Sequence, residues 1–250
     1  MMSSIYSLGC LPSIPDFRNY RYSSIMPKEL DLPTMVDLRS GCTPVKEQNG
    51  LGACVAFSMT GLLEFVDRKD DGRFTSLSEL FIYYLIRDKM GTVDWDSGGY
   101  INYGLDVLAK RGSCTEDEMP YINPEYRYKT MPTGRQLLSG LRRRISTYWE
   151  IYTLDEMLTC LADGYPFVGG VSVYDSFVSD EIRKTGVIPM PKSDESRRGG
   201  HALGFYGFDM MSQRFIFKNS WSDQWGMAGY GTIPFQYIDD MGFDFWTVRK

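Results

Sequence analysis

The sequence predicts an α+β fold of two unlike lobes. Helical patterns fill the first half of the chain and strand patterns the second, the order expected of α+β chains and not of alternating α/β ones. With 250 residues, 43% of them apolar and 14% aromatic, the chain can bury a sizeable core. It carries no internal repeat and no low-complexity tract, which sets aside solenoids and disordered chains.

Pro12, Pro15, Pro27 and Pro33 punctuate the first thirty or so residues, which lack helical or strand periodicity and read as an extended N-terminal arm over residues 1–31. From Cys54 to Val66 apolar residues cover almost every face, so this segment predicts a helix buried inside a lobe and ended by Gly72. SLSELFIYYLIRDK predicts a second helix, with Ser76 or Ser78 as its N-cap and Gly91 after its last basic residues. YINYGLDVLAKRG predicts a third, closed by Gly112. Beyond a proline-rich stretch at 120–132 comes one short helix, LDEMLTCLADG, and then the strands PFVGGVSVY, HALGFYGFD, RFIFKNS, GYGTIPF and FDFWTVR.

Composition narrows the function. A net charge of −5 and a single basic run, Arg142 to Arg144, without interleaved aromatics argue against a nucleic-acid partner. No window is apolar enough for a membrane span. The N-terminus has no secretory signal, so the expectation is an intracellular protein or one exported by a non-classical route. The five cysteines form no CxxC pair, and no metal or other cofactor is expected. His201 is the single histidine, so imidazole chemistry must pass through it.

A thiol attacks a carbonyl as thiolate, and a helix N-terminus or a nearby cation favours that form. Cys54 opens its helix behind Gly50, Leu51, Gly52 and Ala53, a run small enough for a substrate backbone to approach. A buried structural cysteine is the plainer alternative, a lone histidine is usually not a base, and Asn219 beside Trp221 and Trp225 is compatible with ordinary core packing. What raises these signals is their company: His201 lies 147 residues after Cys54, Asn219 follows in KNSWSDQWG, and Gln48 stands six residues before the cysteine.

With TPVKEQNGLGACVAFS, SGGY, GGHALGFYGFD and FKNSWSDQWGMAGYG, the sequence resembles the papain-like cysteine proteases from residue 32 almost to its C-terminus. The resemblance implies a helical lobe at about 40–132 and a β-barrel-like lobe at about 140–240 with the 32–39 segment, and an active-site cleft between them. It also implies a catalytic domain over 32–250. Carried over position by position, Cys54 is the nucleophile, His201 the base and acid, Asn219 the residue orienting it, and Gln48 an oxyanion donor. A resting thiolate and imidazolium pair is expected. Trp221 would shield the His201–Asn219 bond, and Trp225 would line the leaving-group side of the cleft. Gly98 and Gly99 would pair with the substrate backbone, and Gly200 and Ala202 would flank a roomy pocket for the second residue upstream of the cut.

The implied activity is endopeptidase cleavage of polypeptides by a monomer through an acyl-enzyme. The alternatives are a silent peptide-binding protein and an acyl or amide transferase using the same residues. Two departures stand out. Leu51 and Asp96 occupy positions where the family usually has a bridged pair of cysteines, and the arm is shorter than the usual helical propeptide. Residues 1–31 are expected to fold across the cleft as an inhibitory segment or to drape over the surface, and Cys10 in that arm has no assigned partner.

Overall fold

The computed structural model describes residues 6–28 and 31–250; residues 1–5 and 29–30 of the expected arm lie outside the described residues. The first half of the chain runs β1 (Cys10–Leu11), β2 (Met35–Asp37), α1 (Cys54–Asp71), α2 (Glu79–Met90), β3 (Gly99–Tyr100), α3 (Ile101–Lys110), α4 (Pro124–Arg127) and α5 (Gly134–Gly140). The second half runs β4 (Thr147–Ile151), α6 (Leu154–Ala162), β5 (Phe167–Tyr174), α7 (Asp180–Thr185), β6 (Arg197–Asp209), β7 (Arg214–Lys218), β8 (Tyr230–Pro234), α8 (Phe235–Met241) and β9 (Gly242–Arg249).

Helix α1 is buried continuously from Cys54 to Asp67, as its all-round apolar pattern demands, and stops at Gly72 in the left-handed conformation. Ser78, not Ser76, caps α2 by accepting from the Phe81 amide at 3.2 Å. Thr153 and Glu156 close a reciprocal capping box on α6. Elements without an apolar stripe escaped the sequence reading. The six residues of α7 bury only Ile182, α4 buries only Pro124, α5 buries only Gly140, and β4 is half-exposed over most of its length. The expected strand GYGTIPF ends at Pro234, and Phe235 starts α8, with Pro234 as its N-cap.

Seven strands form one antiparallel sheet in the order β4-β9-β5-β6-β7-β8, with β2 paired to β6. This sheet corrects the barrel-like expectation. Among the described residues it stays open, because one apolar face is already covered. Phe167, Val171, Phe205, Phe217 and Phe245 on that face pack with Met157 and Leu161 of α6 and Tyr237 and Ile238 of α8. Val168, Tyr206, Trp246 and Val248 on the other face join the core made by α1, α2 and α3. The long strand β6 thus carries side chains to both cores, and α1 packs directly against it. The Ala202 amide of β6 lies at the Cys54 thiol, at the start of α1.

The arm is ordered by pairing instead of by its own periodicity. Its first part forms β1, parallel to β3 with Cys10 opposite Gly99 and Leu11 opposite Tyr100. Its second part lies along β4, where Tyr20 O accepts from the Glu150 amide at 2.8 Å and Tyr22 is fully buried. The stretch between holds the exposed side chains of Ile14 and Phe17.

Candidate active site

Cys54 is the first residue of α1, where unpaired backbone N–H groups and the helix dipole favour a negative sulfur. His201 sits in β6 opposite Val171 of β5, between Gly200 and Ala202. Asn219 follows β7 and is fixed by its own amide, which donates to Gly229 O at 2.9 Å. Its Oδ1 accepts from the Ser220 amide at 2.9 Å and lies 2.8 Å from His201 Nε2. Since that oxygen only accepts, Nε2 carries the proton and Nδ1 keeps the lone pair. Nδ1 has no hydrogen-bond partner among the described residues. The Trp221 ring stacks on the imidazole at 4.5 Å and 26°.

Gln48 is held from three sides. Its Oε1 accepts from Ser220 Oγ at 2.5 Å, its carbonyl accepts from Tyr121 Oη at 2.8 Å, and its amide donates to Ser220 O at 2.8 Å. Of its two side-chain N–H groups, one donates to Leu51 O at 2.7 Å and the other to Ser7 O of the arm at 3.0 Å. Ser220 and Tyr121 therefore position Gln48, and the sequence gives no independent signal for either, since both are ordinary polar residues in unrelated segments.

The arm occupies the cleft. The Gly99 amide donates to Gly9 O at 2.8 Å, and Tyr6 stacks on Trp221 at 4.3 Å. Gly98 is left-handed, and a Cβ there would lie 2.2 Å from Gly9 O. Gly99 is small for another reason: a Cβ on it would meet Ile86 of α2 at 2.7 Å. Over Gly200 the neighbour is Cys10 O, 2.1 Å from where a Cβ would stand, and Cys10 itself is buried. Ala202 turns toward a small cavity of about 20 Å3 shared with Asn219 and Ser220, enough for one water. The pocket expected from Gly200 and Ala202 is therefore not open space while the arm is seated. Trp225 corrects a second expectation. It is 1% exposed and packs on Phe217 and Trp221 in the core, so it backs Trp221 instead of lining the cleft.

Burial sets the charge state. It pushes the Cys54 thiol up to about 11, with the amides of Ala202, Gly9 and Val55 acting the other way. It pushes His201 down to about 4, opposed by its bond to Asn219. Both shifts disfavour the charged forms of these buried groups, against the thiolate and imidazolium expected from the sequence. Among the described residues no group of three or more His, Cys, Asp or Glu side chains is arranged to hold a metal ion.

A sequence profile of the papain family cysteine proteases matches residues 32–242. The chain belongs to the papain family. Across 99% of its length the papain-family chain superposes on 97% of xylellain, a cysteine protease from Xylella fastidiosa, with a TM-score of 0.91 and 31% identity. It is 32% identical over 242 residues, 91% of its length, to an uncharacterized peptidase C1-like protein of Acanthamoeba polyphaga mimivirus, 78% of which is covered. Against cathepsin K of Gallus gallus it is 30% identical over 209 residues, 79% of this chain and 58% of that one. It is a cysteine-type peptidase that acts on polypeptides, with the papain-like α+β fold. Where the family usually carries a disulfide, the papain-like chain has Leu51 and Asp96, and the carboxylate of Asp96 instead accepts from the Gly52 amide at 3.1 and 3.0 Å.

Proposed function

We propose that the protein hydrolyses peptide bonds through Cys54, His201 and Asn219, and that its own arm holds the site shut. The observation that carries this reading is the Gln48 side chain, whose free N–H sits on a peptide carbonyl, that of Ser7, beside a cysteine at a helix start. A substrate carbonyl in that place would be polarised by Gln48 and by the Cys54 amide, while the sulfur attacks its carbon. His201 Nδ1 is the nitrogen left to take the thiol proton, since Asn219 engages Nε2. The imidazolium then protonates the departing amine. After that it accepts a proton from the water that hydrolyses the thioester. Asn219 acts by holding the ring, and Trp221 by covering it.

Polarity argues that the arm inhibits and is not itself cut. By the family resemblance, residues upstream of a cut lie on the Gly98–Gly99 side and the carbonyl at the cut lies at Gln48, so a productive chain runs from the clamp toward Gln48. The arm runs the other way, from Ser7 at Gln48 to Gly9 at Gly99, and pairs with β3 in parallel. Its Ser7–Leu8 bond thus presents the leaving nitrogen on the wrong side. Hydrolysis of a fluorogenic peptide library by the full chain, by a chain starting at Leu32 and by Cys54→Ala tests both parts. The Leu32 chain is expected to be the fastest and Cys54→Ala silent. Equal rates for the first two at matched folding overturn inhibition, and silence of both across pH and reductant overturns the chemistry.

A further inference from the structure

Helix α2 roots a hydrogen-bonded clasp that none of the steps above uses. Tyr83 and Arg87 lie one turn apart on α2, and the Arg87 guanidinium stacks over the Tyr83 ring at 4.2 Å. Arg87 is fully buried and donates to the carbonyls of Val93 at 2.9 Å and Trp95 at 3.3 Å, which fixes the chain leading into Asp96. Asp96 is exposed on one side, yet both carboxylate oxygens are engaged by the Gly52 amide, and Oδ1 also accepts from the Tyr83 hydroxyl. Tyr83 Oη in turn accepts from the Gly98 amide at 3.3 Å. The bonds therefore run Gly52, Asp96, Tyr83, Gly98 and join two loops distant in sequence. One loop ends in Cys54 two residues later, and the other carries Gly98 and Gly99. The loops touch as backbone: a Cβ on Gly52 would stand 3.5 Å from Gly98 Cα.

We propose that Asp96 and Tyr83 are positioning residues, setting the spacing between the nucleophile and the backbone that binds substrate. The proposal rests on the roles given above to Cys54 and Gly98–Gly99. An amide–carboxylate bond and a hydroxyl–carboxylate bond are charge-assisted and directional, so they suit a joint whose two sides must keep register to a fraction of an ångström. Reductant has no bond to break here, so the spacing persists in reducing and oxidising surroundings alike.

The test uses the full chain with Tyr83→Phe, Asp96→Asn and Asp96→Ala, reading amide hydrogen exchange together with kcat and KM for a peptide. Tyr83→Phe removes only a hydroxyl and no atom of either loop. It is expected to speed exchange at Gly98 and also at Gly52, while the amides of β7 keep their wild-type rates. Asp96→Ala is expected to lower kcat/KM by between about tenfold and 100-fold, shared between kcat and KM, and Asp96→Asn, which keeps one acceptor for Gly52, by less. Exchange that rises only at the residue whose partner was removed overturns the coupling. So does a uniform rise that includes β7, or wild-type kcat/KM in Asp96→Ala. If neither the full chain nor the chain starting at Leu32 cleaves peptide, the peptidase chemistry is at fault and the exchange pattern alone decides on the clasp.

Discussion

At the scale of single residues, the papain-like site is a case where burial overrides the expected charge state. A helix N-terminus favours thiolate, yet burial pushes the Cys54 thiol up to about 11 and the His201 imidazole down to about 4. Two measurements follow. The rate at which iodoacetamide alkylates Cys54 in the full chain should climb with pH toward about 11, and removing residues 1–31 should move that profile to lower pH. An unmoved profile would mean that the arm does not desolvate the sulfur. His201 acts on stability with a definite sign. Its folded pKa lies below the ordinary 6.5, so it contributes stability that is complete above 6.5 and lost as the pH falls through about 4. Urea titrations should therefore show wild type losing more stability than His201→Gln between those limits. Cys54, His201, Asn219 and Gln48 could be singled out as candidates because their joint spacing is specific. Ser220 and Tyr121 were not, because a hydroxyl that holds another side chain leaves no pattern in sequence.

At the scale of elements, patterns that depend on a long apolar stripe or a capping residue were readable, and those that depend on pairing were not. Helices α1, α2, α3 and α6 and strands β5, β6, β7 and β9 carry such patterns, whereas β1 and β4 exist through their partners. Ser78 illustrates the first kind. It caps α2 and donates a buried bond to Met119 O at 2.6 Å, so Ser78→Ala should cost about 1 to 2 kcal/mol in a denaturation experiment. A loss under about 0.5 kcal/mol would show that neither bond matters. The barrel-like lobe was misread at this scale, since strand patterns report that a face is apolar and not whether helices or sheet closure will cover it.

At the scale of the whole molecule, a buried charged group ties the helical side to the sheet. Lys46 lies 2.7 Å from Glu79 and 3.2 Å from Glu64, both almost wholly buried, and Lys218 of β7 donates to Thr43 Oγ1 at 3.0 Å, which itself donates to Glu64. Burial raises the Glu79 carboxyl well above the usual carboxylate range. Lys46→Ala strands two carboxylates without their cation and should cost about 3 to 5 kcal/mol, read as a shifted urea midpoint; a cost below about 1 kcal/mol would show that the pairing is idle.

The other device at this scale is the arm, whose seat depends on close backbone approach at Gly9. A Cβ at Gly9 would lie 2.0 Å from Gly52 O, so no side chain fits there without moving the arm or the loop that leads into Cys54. The most direct measurement is peptide hydrolysis by the full-length wild type, by full-length Gly9→Val and by Gly9→Val combined with Cys54→Ala. An arm that blocks Cys54 predicts that Gly9→Val hydrolyses faster than wild type and that Cys54→Ala abolishes the gain. A Gly9→Val chain that is folded and no faster than wild type would contradict the account.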